Sequence, residues 1–162
     1  MTKLRKLTAL LLAGALTLLF LTACSGGGGS SGPEAQAEAE VMGAIRSNPA
    51  TASLKYDDGM CNIAKETLAK ADLDADLKGS IGGYKFYNDV KYDKETSTLT
   101  LIAQYDYKDT TLEELIGYIT KNNVASNLKF NLSSNRAKVG VAAKIYNGKT
   151  YIAITLQAVK KT

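Results

Sequence analysis

Histidine, the side chain most used for acid–base chemistry at neutral pH, is absent from this chain. A serine or cysteine nucleophile ordinarily needs an imidazole base held by a third group. Without one, Cys61 reads as a small buried hydrophobe on a helix. Ser126-Asn127-Leu128-Lys129 has the S-x-x-K spacing that lets a lysine activate a serine, and Lys149-Thr150 follows on a late strand. Tyr151 then stands where that chemistry needs glycine. Asp72-Leu73-Asp74-Ala75-Asp76 alternates carboxylates as a calcium loop does. Leu77 in place of the loop glycine and Gly83 in place of the last acidic ligand break the pattern, leaving solvated carboxylates around a helix end. Glu113, Glu114 and Asp106 remain as carboxylates able to serve a cell-wall or peptide hydrolase. Tyr87 is the other candidate. It takes the strand parity opposite to Tyr84, Tyr92, Tyr105 and Tyr107, which share the core-facing parity of Phe86, Leu99 and Leu101. It therefore suits a wet cleft that stacks on a sugar or peptide.

The N-terminal stretch bears on where such a site would work. Lys3, Arg5 and Lys6 precede an apolar run from Leu7 to Leu21, too short for a confident transmembrane helix and flanked as a secretory leader is. The run closes on Leu21-Thr22-Ala23-Cys24, which resembles the lipobox of bacterial lipoproteins. That resemblance implies cleavage after residue 23 and acylation of Cys24, with chains such as palmitate holding the protein on the extracytoplasmic face of the cell membrane. Each buried methylene of such a chain adds about 0.8 kcal/mol of membrane affinity. Ser25 to Gly32 is all Gly and Ser, a flexible tether spanning about 15 Å, similar to those of Gram-positive lipoproteins. The expected organisation is a leader over 1–23, a lipidated Cys and tether over 24–33, and one domain over 34–162. Three of the 20 Lys and Arg lie in the leader, leaving 17 against 16 acidic residues. So small a net charge argues against nucleic acid as a partner. With Cys24 acylated, Cys61 is expected to stand alone.

Alternating elements follow the tether. Pro33 opens a helix over Glu34 to Arg46 with Val41, Met42 and Ile45 at helical spacing, stopped by Asn48-Pro49. Asp57 or Asp58 caps a second helix carrying Met60, Ala64 and Leu68, with Cys61 and Ile63 beside them; it fades near Ala71. Tyr84 to Tyr92 and Leu99 to Tyr107 form a hairpin around Asp93 to Thr96, and Asp109-Thr110-Thr111 caps a helix bearing Leu112, Leu115, Ile116 and Ile119. Val139 to Ile145 and Tyr151 to Val159 form a second hairpin, with a type I′ turn predicted at Asn147-Gly148. Helices packed on an antiparallel sheet make an α+β domain.

Several of these segments together carry a resemblance. Val41 to Arg46, then Leu54-Lys55-Tyr56-Asp57, Met60 to Ala64, Thr110 to Tyr118, Val139-Gly140-Val141-Ala142 and Tyr151 to Leu156 are similar, in order and spacing, to the CAP superfamily (cysteine-rich secretory, antigen 5 and pathogenesis-related 1 proteins), including its bacterial SCP-like forms. The resemblance covers roughly 36–158 and implies a CAP-like α-β-α sandwich. It also implies a cleft where the family places two His and two acidic residues around a divalent metal. Here Asn88 stands in for one His and Gln104 for a carboxylate, with Tyr87 and Glu114 beside them; the second His would fall between Lys121 and Asn131. Amides are far weaker metal ligands than imidazole and carboxylate. The degenerate cleft implies no metal or other cofactor and points to a binding module for a lipid, glycan, peptide or envelope protein. A carboxylate hydrolase and a structural envelope protein are the alternatives.

Overall fold

The computed structural model describes residues 32–81, 84–105, 115–117, 130–132 and 136–160. Among them are two helices, α1 (Pro33–Ser47) and α2 (Asp58–Lys70), and seven strands: β1 (Lys55–Tyr56), β2 (Gly79–Ile81), β3 (Tyr84–Tyr92), β4 (Thr96–Tyr105), β5 (Phe130–Asn131), β6 (Lys138–Tyr146) and β7 (Lys149–Lys160). Leu115 to Gly117 are also helical, and the rest of the helix expected from Thr110 to Tyr118 lies outside the described residues.

Local chemistry sets the helix ends. Pro33 occupies the first turn of α1, where its missing N–H costs no hydrogen bond, and Asn48 ends the helix with its N–H on Ala44 O. Thr51 Oγ donates to Ile45 O at 2.6 Å, satisfying a last-turn carbonyl that the helix itself cannot. Asp57 is the N-cap of α2, its carboxylate accepting from Met60 N at 3.2 Å. Lys138 Nζ lies 2.8 Å from the same carboxylate, and that bond holds the Asp57 carboxyl below its ordinary value. Asp57→Ala is expected to cost about 1 kcal/mol through loss of the cap. The carboxylate's contribution is present above pH 3.8 and is lost as pH falls through the lower folded value. Urea melts of wild type and variant should therefore converge in acid.

The strand order is β1-β6-β7-β4-β3-β2, with β5 also pairing β7; every pairing is antiparallel except β1 with β6. Asn147 and Gly148 have φ of 49° and 71°, both positive as a type I′ turn requires, and join Tyr146 to Lys149. The chain is α+β, with helices on both faces of the sheet. On one face Ala37, Val41, Met42 and Ile45 of α1 pack against Leu99, Leu101, Val139, Val141, Ile152, Ile154 and Leu156, joined by Leu115 and Ile116. On the other, Ala64 and Leu68 of α2, with Leu73 and Leu77 that follow it, cover Ile102, Ala142, Tyr151 and Ala153. Adjacent strand residues feed opposite cores, as a pleat demands of a sheet covered on both sides.

Two details depart from the sequence expectation. Tyr92, expected on the core face, is instead 66% exposed, as the last residue of β3. Cys61, expected to stand alone, is disulfide-bonded. The chain's other cysteine, Cys24, lies outside the described residues.

Candidate functional site

Among the described residues, a groove of about 340 Å³ lies between the outward side of α2 and the sheet. Its helix wall is Ile63, Glu66, Thr67, Lys70 and Ala71, which recur at the three- and four-residue spacing of one helical stripe. Its floor is Tyr87, Asp89 and Lys91, alternate residues of β3, together with Thr98, which lies opposite Lys91 on β4. Asp76 closes one side.

The groove has a defined polarity. Burial raises the Tyr87 phenol above its usual value, and the charges of Asp89 and Asp76 raise it further. The phenol therefore stays protonated beside two carboxylates, a donor among acceptors. Thr67 Oγ already donates to Ile63 O at 2.7 Å, and Thr98 Oγ accepts from Gln157 Nε at 3.3 Å. Lys70 pairs with Glu66 at 3.6 Å across the exposed rim. An aromatic ring, two hydroxyls and charges of both signs suit a polyhydroxylated or zwitterionic ligand bound by several weak contacts.

The acidic run beside the groove is a folded loop. Asp72 Oδ accepts from the N–H groups of Asp74 and Ala75 at 3.1 and 3.0 Å, and Asp76 Oδ accepts from Asp72 N at 2.9 Å. These carboxylates are turned toward their own backbone while Leu73 and Leu77 enter the core. Asp74 instead accepts from the Tyr146 hydroxyl at 3.1 Å, which ties the loop to the β6–β7 hairpin. Among the described residues no three His, Cys, Asp or Glu side chains converge as metal ligands would.

The structure assembles only part of the expected cleft. Tyr87 lies in the groove as its parity requires. Asn88 pairs with Leu101, a residue of the α1-side core, and is exposed on that face. Gln104 pairs with Tyr151, a residue of the α2-side core. Asn88 and Gln104 are thus on opposite faces of the sheet, which corrects the expectation that they share a site. The cause is the hairpin register, in which even positions of β3 oppose odd positions of β4. Gln104 shares Tyr87's face but is not among the groove's lining. Glu114, Glu113, Asp106, the S-x-x-K serine and Cys24 lie outside the described residues.

No protein-family model, curated protein or solved structure matches this chain. Its function must therefore be read from the groove. Asp89, Lys91 and Thr98 belong to no motif in the sequence, although the parity that singles out Tyr87 also selects Asp89 and Lys91; Asp76 stands out only as the end of the broken calcium-loop pattern. Thr67 and Lys70 are legible as the stripe of α2 beside its core face. The distance between that stripe and β3 has no sequence signal, because α2 rests on β6 and β7.

Proposed function

We propose that this chain is a lipid-anchored, extracytoplasmic binding protein with a degenerate CAP-like domain, acting without catalysis on a sugar or peptide held in the Tyr87 groove. The groove itself carries the reading: a half-buried aromatic flanked by carboxylates, hydroxyls and ammonium groups, in a chain with no histidine to serve as a base. The helices on both faces of the sheet support the CAP-like part, and so does the order of the similar segments along the chain. The basic leader, Cys24 and the Gly/Ser tether support the anchor, and no helix among the described residues is long and apolar enough to cross a membrane. The bond at Cys61 weighs on the other side, since a Cys24 sulfur committed to a thioether with lipid has no valence left for a disulfide.

One preparation tests both parts. The protein extracted from cell envelopes is digested without reduction and its Cys24 and Cys61 peptides are weighed. A diacylglyceryl mass on Cys24 is the expected result, and a Cys24–Cys61 disulfide in the mature protein overturns the anchor. The same material is titrated with muropeptides and short peptides by tyrosine fluorescence, the chain having nine Tyr and no Trp. Tyr87→Ala should weaken binding at least tenfold, the loss of one stacking contact and its hydroxyl. Equal binding by wild type and variant excludes the groove, and turnover of the probes excludes a purely binding role.

A further inference from the structure

β3 borders β2 only through Tyr84, Lys85 and Phe86. Beyond Phe86, among the described residues, no strand lies on the outer side of β3. The direction of its backbone groups follows from the bonds already made. Asp93 N donates inward to Thr96 O at 2.9 Å, closing the β3–β4 turn, so odd positions of β3 point toward β4. The even positions Tyr84 and Phe86 sit opposite Ile81 and Gly79 of β2. Continuing that phase, Asn88, Val90 and Tyr92 turn N–H and C=O away from the sheet, over a window of about 17 Å.

An open edge is a template for another strand, and charged side chains along it are the usual guard. Here Asp89 and Lys91 alternate in sign on one face, and that pattern complements itself. We infer that the β3 edge pairs antiparallel with the same edge of a second copy, with Val90 opposite its own mate on a twofold axis. Each Asp89 then faces a Lys91 of the other copy, giving two opposite-charge cross-strand pairs, and each Asn88 faces a Tyr92, covering part of a ring that is 66% exposed in the single chain. The neighbouring registers that keep the hydrogen-bond phase are disfavoured. Slipping one way sets Asp89 against Asp89, and slipping the other sets Lys91 against Lys91.

The pairing also alters the groove. Asp89 and Lys91 line it, so the mate's Lys91 and Asp89 extend its floor and the two grooves become continuous across the axis. Five paired residues a side make a small interface, below the roughly 1,200 Å² typical of stable complexes. The dimer should accordingly form where copies are concentrated and escape detection in dilute solution.

Cross-linking in cell envelopes carrying the full chain tests this. Residues opposite each other in a hydrogen-bonded antiparallel pair have Cα atoms about 5.5 Å apart, within disulfide range. Under mild oxidation Val90→Cys should give a covalent dimer at least tenfold above wild type. Asn88→Cys, whose mate would be four residues away along the strand, should stay at the wild-type level. Adding D89K to V90C should abolish the dimer by opposing like charges, and D89K/K91D/V90C should restore it by exchanging both partners. The inference is overturned by an absent V90C dimer, by equal cross-linking of N88C, by indifference to D89K, or by failure of the double charge exchange to rescue.

Discussion

Gly140→Ala should destabilise the domain by about 3 kcal/mol and lower its melting temperature by about 10 °C. β6 presents Gly140 to the first turn of α2, where an added methyl would overlap Cys61 N and Met60 C and lie 2.7 Å from Cys61 Cα. These are backbone atoms, so no rotamer change relieves the overlap; the helix must lift from the sheet. Lifting α2 also loosens Ala64 and Leu68 from Ala142 and Ala153 on the same face. Gly43→Ala is the internal control. Nothing lies within 4 Å of its added methyl, and it sits within α1, so alanine there should stabilise by about 0.5–1 kcal/mol. Calorimetry of the two variants should show shifts of opposite sign. A Gly140→Ala melting temperature within about 2 °C of wild type would show that α2 does not bear on β6 so closely.

Glu38→Ala should cost about 1–3 kcal/mol at neutral pH, whereas Glu38→Gln should equal or exceed wild type. The Glu38 carboxylate reaches from α1 to the outer edge of β6 and accepts from Ala143 N at 2.9 Å, while Glu34, one turn earlier, accepts from Ile145 N at 2.7 Å. β1 pairs with Lys138 and Val139, and at Ala143 and Ile145 these carboxylates do what another strand would. Alanine at 38 leaves a part-buried N–H without an acceptor; glutamine supplies one without a charge. Burial raises the Glu38 pKa above 4.5, with Glu34 adding to the rise and the Ala143 N–H and Lys65 opposing it. For a raised carboxylate the sign is set: its contribution is full below pH 4.5 and is lost as pH rises through the folded value. The advantage of glutamine over wild type should therefore grow from about pH 4 to about pH 7. Denaturant midpoints measured across that range would show it, and a constant difference would refute the burial argument.

Local rules placed much of this fold. Pro33 and Asn48-Pro49 bound α1, Asp57 caps α2, and Asn147-Gly148 forms the positive-φ turn because few other residue pairs accept that backbone. Alternation along β3 likewise separates Tyr87 from Phe86 and Val90, and the fold keeps that separation. The same alternation puts Asn88 with Leu101 and leaves Gln104 on the other side. Asn88 and Gln104 therefore share no cleft, because in the pleat of these strands a one-residue offset reverses every side chain.

Local sequence alone specifies the basic and apolar N-terminal pattern, the Gly/Ser run, the lack of histidine, the helix caps and which strand residues share a face. Each of these depends on a residue's own chemistry or on neighbours a few positions away. Tertiary structure alone decided that α1 and α2 take opposite faces, that Glu34 and Glu38 seal the edge of β6 more than a hundred residues later, and that Gly140 meets the backbone of α2. It also decided that Tyr87 gains Thr67 and Asp76 as neighbours. Those contacts arise from how layers stack, and stacking is fixed by complementary surfaces that no single stretch of chain contains.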